Sequence, residues 1–521
     1  MASTLNQIMN IGVRSVNNNQ VALNVVSNNI SNINTEGYTR QQVNFAAIPA
    51  YDCFNWCSSS GKLLIGQGAE ITGITNKRAE WLDNYFRGQN SASGYYDQLG
   101  PMADNLENLL NDELSSDGLQ AKLSSFFSAS QALSGDPTNN AYKIAFISAA
   151  QDISDMLNSM SKKVNGYMTQ AIGTFGDADS FANSMIVTKT DELNAKLEEL
   201  AKVNQSIAYD STEGSYSADL ADQKDAILNE LSAMIPLQTT TNANGTVNII
   251  IDGQTVVQGA EKKMDIVAVQ TDDPDNPVKM QILDKEGNVR IDNANDAFNE
   301  SGIGGILAAG SSEIFGYKSV LNDLDQLASA FAEEMNRIQT EVIDGKTPLY
   351  IGPDGTLEPS TTPIFVTKDG SGTFNAGNIS INTALVKDPS LVATARIDTT
   401  QPDCDNRAVG NTGNMDLFNN LASGKLVGLS QTVPAGEGVS LTDFLSNLVS
   451  KVGSEVSEIK SAQTAQDAVT DQAKSEIDAM YGVDLNEELA DLIKYQRAYE
   501  ASARIFNMAN ELMQLIIGLG Q

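Results

Sequence analysis

Five short stretches carry residue types that could do chemistry. Asp344-Gly345-Lys346-Thr347 ends like a phosphate-binding loop, in which glycines let backbone N–H groups cradle a phosphate while a lysine neutralises it. The glycine needed five positions before Gly345 is Thr340, so the cradle is absent. Ser301-Gly302-Ile303-Gly304-Gly305 misses the dinucleotide fingerprint, because its third glycine position is Leu307 and no strand clearly leads into it. It reads better as a tight turn. Asp272, Asp273 and Asp275 offer oxygens to a hard cation but lack the central glycine and distal glutamate of an EF-hand loop, and read as a solvated acidic turn. Glu333-Glu334 and Glu487-Glu488 supply paired carboxylates, yet with 66 acidic residues in the chain such pairs arise by chance, and nothing fixes either in a cleft.

The chain has no histidine. Imidazole is the usual general base near neutral pH and the commonest metal ligand, so Ser-His-Asp, Cys-His and His-ligated zinc chemistry are excluded. Cys53, Cys57 and Cys404 are too few for a disulfide framework or a four-thiolate site. Cys53 and Cys57 lie in a loop-like stretch and read as free thiols more readily than as a disulfide, a pairing that spacing leaves open. No catalytic, cofactor-binding or metal-binding residue is nominated, and the chain reads as a protein that is not an enzyme. A net charge of −33, with 33 basic residues and no basic patch, repels nucleic acid and anionic lipid surfaces. No apolar run reaches the length of a membrane span or a secretion signal, so export would proceed without a Sec-type leader.

The elements explain more than the motifs do. A length of 521 residues sets an expectation of about three or four structural units. Near the N-terminus Met9, Gly12, Val16, Asn19, Leu23, Val26, Ile30 and Ile33 follow steps of three and four, the seam of a helix packed along another helix. Its other face is amide: Asn6, Gln7, Asn10, Asn17, Asn18, Gln20, Asn24, Asn28 and Asn29. An uncharged polar face suits contact with another chain, where a charge would be costly but an amide can be bonded. The helix should stop at residues 34–37, with Gly37 as its left-handed cap. At the other end a stripe runs through Leu485, Leu489, Leu492, Gln496, Tyr499, Ala503 and Phe506, and a second through Ile505, Ala509, Leu512, Ile516 and Leu519. Two adjacent seams imply more than one neighbour. Periodicity allows docking within the chain or an intermolecular bundle, and the amide face favours the bundle.

Residues 191–207 and 220–235 read as an antiparallel helical pair, 317–338 as a further helix, and 441 onward as a last helical stretch interrupted near Gly482. Asn244-Gly245 and Asp252-Gly253 are hairpin turns within a β insert. Gly352-Pro353-Asp354-Gly355, with strands at PIFVT and NISIN, marks a second one. The expected fold class is α+β and multidomain, a long helical bundle or coiled-coil rod formed by both termini with inserted β-rich outer domains. The expected division is 1–45 with 470–521 as the terminal coiled coil, 46–236 with 303–345 and 426–469 as a helical rod, and 237–302 with 346–425 as the β-rich outer part.

The stretch SNNISNINTEGYTRQ, Ser27 to Gln41, resembles the N-terminal signature of flagellar axial proteins, carried here by Asn29, Asn32, Thr35, Gly37, Tyr38, Arg40 and Gln41. Val483 to Ile505 is similar to the C-terminal signature of the same proteins, through Glu487, Leu489, Ile493, Tyr495, Gln496, Tyr499, Ala501 and Ala503. Inside the chain, Leu220 to Ile235 with the hairpin after it, Gly302 to Ala309, and Val386 to Thr394 resemble the hook-associated protein 1 family. Lys224 stands where that family commonly has arginine.

The resemblance implies a structural subunit of the bacterial flagellum, secreted by type III export, serving motility as a ring at the hook-filament junction. It implies assembly with itself, with the hook protein and with hook-associated protein 3, after an export chaperone has held the C-terminal helix. It implies an extracellular location, no cofactor, no nucleic acid and no membrane insertion. The nominated assembly interface is Val16, Leu23, Val26, Ile30, Leu489, Leu492, Gln496, Tyr499, Phe506 and Leu512. Chain ends whose seams meet partners only on assembly should be poorly ordered before it. Two other readings are an adhesin-like surface subunit acting through the β inserts, and a carboxylate hydrolase on a flagellar scaffold.

Overall fold

The computed structural model describes residues 2–35, 37–49, 51–52, 64–113, 118–212, 217–312, 314–399, 410–424 and 438–519. Cys53, Cys57 and Cys404, with the disulfide question they raise, lie outside them.

Helix α1 (Ala2–Ser31) unwinds through a turn over residues 32–35 into Gly37, whose φ of +77° is the left-handed conformation expected of it. Strands β1 (Gln41–Ala47), β2 (Tyr51–Asp52), β3 (Leu64–Ile65) and β4 (Ala69–Asn76) form antiparallel pairs, β1 with β4 and β2 with β3. The β1–β4 pair packs on α1, a hairpin absent from the sequence reading, so the unit around the chain ends extends past residue 45.

A run of long helices follows: α2 (Glu80–Glu113), α3 (Leu119–Gly135), α4 (Asn140–Ile172), the short α5 (Ala178–Ala182), α6 (Met185–Thr212) and α7 (Ala218–Met234). The last two form the expected helical pair. Strands β5 (Gln238–Thr241), β6 (Val247–Ile251), β7 (Gln254–Gln258) and β8 (Glu261–Lys262) make one antiparallel sheet. Strands β9 (Met264–Gln270), β10 (Val278–Asp284) and β11 (Val289–Ile291) make another. The turn between β6 and β7 has positive φ at both Asp252 (+48°) and Gly253 (+72°), the twist a two-residue hairpin needs.

Helices α8 (Gly302–Ala308) and α9 (Tyr317–Thr340) lead into the second insert, β12 (Thr347–Ile351), β13 (Leu357–Pro359), β14 (Phe365–Thr367) and β15 (Ile379–Ile381), then α10 (Thr383–Lys387) and β16 (Ala395–Ile397). The chain returns through α11 (Gly413–Asn420) and α12 (Leu441–Tyr481), and a break at Gly482 separates α12 from α13 (Leu485–Leu519). Because α12 runs unbroken to Tyr481, residue 470 falls inside it.

Helices α2 and α12 lie antiparallel, tied by Ser93 Oγ to Asp467 at 3.1 Å, Gln466 Nε2 to the Gln89 carbonyl at 2.9 Å, and Lys460 to Asp104 at 2.8 Å. The main core joins helices and inserts through a chain of phenylalanines in tilted and edge-to-face contact. Phe126 lies 5.1 Å from Phe146 and 5.7 Å from Phe331, which continues to Phe365, while Phe146 continues to Phe418. Among the described residues no helix is long and apolar enough to cross a membrane.

The stretches with chemical promise are structural. Asp344 and Gly345, at φ +50° and +74°, make the turn between Ile343 and Lys346, which bond each other's backbone. Asp273 Oδ1 accepts from the Asp275 amide in the turn between β9 and β10. The 302–305 run is the start of α8, capped by Ser301, and not the tight turn read from the sequence. A Cβ at Gly302 would come 2.8 Å from the Ala233 carbonyl oxygen and one at Gly305 2.7 Å from that of Tyr95, so these glycines let α8 press onto α7 and α2.

Candidate functional site

Helices α1 and α13 pair antiparallel. Gly12 faces Phe506, where a Cβ would meet the Phe506 Cα at 3.4 Å, and Ser15 Oγ lies 2.7 Å from Ser502 Oγ. Asn29 Nδ2 donates to Glu488 Oε2 at 3.1 Å near the other end. The buried residues of α1 include Leu5, Gly12, Asn19 and Val26 at intervals of seven, with Ala22 and Asn29 each three residues further on from Asn19 and Val26. The face of α13 that meets them is Glu488, Tyr495, Ser502 and Ala509, again every seven. Tyr495 packs onto Ala22, Val25 and Val43, with Ile71 and Ile74 of the hairpin beside them.

The nominated interface residues divide between two surfaces. Val26 is buried, and Val16, Leu23, Ile30, Leu492 and Phe506 are half-buried. Leu489, Gln496, Tyr499 and Leu512 point outward, with Leu489 43% and Leu512 47% exposed. Glu488, Tyr495 and Ser502 each lie one residue before Leu489, Gln496 and Ala503 of the first stripe, while Phe506 and Ala509, which also meet α1, stand in the stripes read in the sequence; small and polar residues allow the close approach. The outward face keeps Leu489, Ile493, Tyr499, Ile505, Met508 and Leu512, all at least a third exposed. Beside it, the amides Asn6, Asn10, Asn17, Gln20, Asn24 and Asn28 of α1 are also exposed.

Four of the seven N-terminal signature residues, Asn29, Tyr38, Arg40 and Gln41, gather into one hydrogen-bonded knot at the base of this pair. The buried Asn29 amide is fully engaged: its oxygen accepts from the Gln41 amide at 3.0 Å and the Tyr38 hydroxyl at 2.8 Å, and its nitrogen donates to the Gln41 carbonyl at 3.0 Å and to Glu488. Arg40 spreads over three acids of α13, at 2.6 Å to Glu488, 2.8 Å to Glu487 and 3.4 Å to Asp491. Burial opposes the Arg40 charge, but its bond to Glu488 and then Glu487 outweighs this and raises its pKa. Burial, with Asp219, Asp222 and Glu488 nearby, drives the Tyr38 hydroxyl far above its ordinary range, so it stays a donor. Asn32 and Thr35 bond each other within the turn, at 3.2 Å, outside the knot.

Sequence reasoning missed the other half of the site. Asp219, Asp222 and Asp225 recur every three residues on one face of α7. Asp219 accepts from Gln41 Nε2 at 3.2 Å, and Asp222 accepts from the Thr39 amide at 3.1 Å and from Asn76 Nδ2 at 2.7 Å. Asp225 holds Arg78 and, at 2.9 Å, Arg87. Burial raises the Asp222 pKa against these bonds. Lys224, on the same helix, is pushed down to about 8 by burial and then by Arg78 and Arg87. The i, i+3, i+6 spacing of the aspartates was visible, but the partners they would meet were not. Nothing in the knot pairs a nucleophile with a base; its chemistry is that of a joint.

Residues 103–347 match the family described as the flagellar hook-associated protein FlgK helical domain. Residues 9–39 match the flagella basal body rod protein, and 478–519 the flagellar basal body rod FlgEFG protein C-terminal, so both helices of the pair fall in rod-type segments. The chain is 26% identical to flagellar hook-associated protein 1 of Salmonella typhimurium, over 99% of this chain and all of that one. It is 25% identical to the protein of that name in Bacillus subtilis, over 97% of each. The structure of the flagellar hook junction protein FlgK from Burkholderia pseudomallei superposes with a TM-score of 0.54 at 14% identity, covering 75% of this chain and 99% of that one, a likeness of fold. The adhesin and hydrolase readings draw no support from these relatives. The signature at the joined ends, the helical middle and the full-length relatives together make the chain a member of the flagellar hook-associated protein 1 family, a structural component of the bacterial flagellum and not an enzyme.

Proposed function

We propose that this chain forms the ring at the junction between hook and filament, and that it assembles through the outward face of its terminal helices. The observation that carries this reading is that Leu489, Tyr499, Ile505 and Leu512 stay exposed along α13, on either side of the face already filled by α1. Such apolar side chains beside uncharged amides fit packing of one helix pair against its neighbours, where charges would be costly. Val16, Leu23, Val26, Ile30, Leu492 and Phe506 then hold the pair together, while Leu489, Gln496, Tyr499 and Leu512 meet the neighbouring subunit. The signature residues Asn29, Tyr38, Arg40 and Gln41 hold the pair's base, with Asn32, Thr35 and Gly37 shaping the turn.

In this reading the chain divides into a terminal helical unit, a helical rod and a β-rich outer part. The hook protein lies below the ring and hook-associated protein 3 above it, outside the cell. Export through the flagellar type III apparatus, with a chaperone on the C-terminal helix, precedes assembly. The test is to replace Leu489 and Leu512 together by serine in cells that depend on this protein. Loss of filaments, with export and the fold of the purified chain retained, is the expected result. Normal filament assembly on such hooks would sink the interface.

A further inference from the structure

Among the described residues, the apolar side chains cluster into two separate cores on either side of the base of the terminal pair. The main cluster begins at Leu99 and ends at Ile459, and the cluster of the terminal unit consists of Ala22, Val25 and Val43 with Ile71, Ile74 and Tyr495 against it. They share no residue. Between them the chain crosses twice, at residues 77–79 and 482–484; Leu82, Ala218, Ala221 and Tyr481 are buried around the crossing without joining either cluster, and the bonds that span it are polar. Thr39 and Asn76 bond Asp222, Gln41 bonds Asp219, Asn76 Nδ2 reaches the Ala218 carbonyl at 3.3 Å, and the Arg40 amide donates to the Tyr481 carbonyl at 2.9 Å. Arg78 spans the crossing, on Asp225 and over the Tyr481 ring at 5.5 Å.

The bonds in this region fall into two sets. Those of Asn29 and of the Arg40 side chain join α1, the β1 turn and α13 to one another, within the terminal unit. Those of Asp219 and Asp222 join that unit to the rod. We propose that the aspartate row of α7 is a latch that sets the inclination of the terminal helix pair on the rod, and that the pair swings as one rigid lever when the latch opens. Interlocked side chains resist sliding because packed cores are close to solid in density. The donors Thr39 and Gln41 are buried, but Asp219 is exposed and Asp222 half-buried, so water can replace these bonds at a smaller net cost than in a sealed core, and such a joint has an adjustable angle. The lever stays rigid because its own knot is buried, with Asn29 1% exposed and Glu488 fully buried. The inference goes beyond the junction reading, since it concerns the angle within one subunit and holds whatever the pair contacts.

The experiment uses the full chain with Cys53, Cys57 and Cys404 replaced by serine, and paired spin labels. Labels at Lys202→Cys of α6 and Arg504→Cys of α13 report rod to lever, and labels at Asn17→Cys and Arg504→Cys report within the lever. Asp219→Ala with Asp222→Ala should broaden and shift the rod-to-lever distances and leave the distances within the lever unchanged. Gln41→Ala with Asn76→Ala opens the latch from the other side and should do the same, which keeps the test should the first variant fold poorly. Rod-to-lever distances that match the parent in both variants overturn the latch. So does a parent distribution already as broad as the variants'. Distances that broaden within the lever overturn the rigid swing, because the pair would then be melting.

Discussion

Arg40 places its Nε 2.6 Å from Glu488 Oε1, joining residues 448 positions apart, and the Glu488 side chain keeps only 1% of its surface exposed. This one ion pair closes the chain's two ends on each other. Glu488 also accepts from Asn29, so its second oxygen is held.

Arg40→Met leaves that carboxylate buried without its cation, which costs about 3 kcal/mol of stability in the terminal unit. Glu488→Gln keeps a polar group in place and costs about 1 kcal/mol. Amide hydrogen exchange along α1 and the first turns of α13 should show the ranking, with the rod helices unchanged. Equal protection in Arg40→Met and the parent would contradict it.

Gly12 separates close contact from collision. Its Cβ would lie 3.4 Å from Phe506, an ordinary contact, so Gly12→Ala should stabilise α1 by about 0.5–1 kcal/mol through helix propensity. Gly12→Leu has no room and should force α13 away. Thermal melting followed by helix signal distinguishes them, and a destabilised Gly12→Ala would place the helices closer than the structure does.

The 302–305 glycines predict the opposite response to the same substitution. A Cβ at Gly304 collides with the Phe298 carbonyl oxygen, and one at Gly305 lies 2.8 Å from Gln98 Cβ as well as against Tyr95. Backbone must move in both cases, so each alanine variant should lose about 2–3 kcal/mol. A melting temperature unchanged by Gly305→Ala would refute the tight packing of α8 on α2.

Lys143 is 3% exposed, donates to the Ser390 carbonyl at 3.1 Å, and is pushed down to about 8 by burial, against Asp388. The native state therefore holds this proton less tightly than the unfolded chain, whose lysine titrates near 10.5. Below pH 8 both states carry the charge and the full burial penalty is present. Between pH 8 and 10.5 the native lysine is neutral first, so the penalty fades and this group adds stability as pH rises. Lys143→Met should stabilise the protein by about 1–2 kcal/mol at pH 7, with the gap narrowing from pH 8 upward. Denaturant melts across that range check it, and a gap that widens with pH would reverse the assignment.

What the sequence determined by itself is local or periodic. Gly37, Asn244-Gly245, Asp252-Gly253 and Gly352-Pro353-Asp354-Gly355 stand in turns because only certain residues take those backbone angles cheaply. The helices at 191–207, 220–235 and 317–338 were readable because one apolar face must repeat with the helical turn. The β1–β4 hairpin was not, since its strands lack strict alternation and rest on a helix more than a hundred residues from their other neighbour, α7. Tertiary structure decided which seam meets which partner. Periodicity showed two apolar rows on α13, yet of the face Glu488, Tyr495, Ser502 and Ala509 that meets α1 only Ala509 stands in either row, and small and polar side chains let the two helices approach closely. Tertiary structure also turned a fifteen-residue signature into a joint. Asn29, Tyr38, Arg40 and Gln41 acquire their roles from Glu488 and the α7 aspartates, and no spacing along the chain encodes a hydrogen bond between groups that only folding brings within 3 Å.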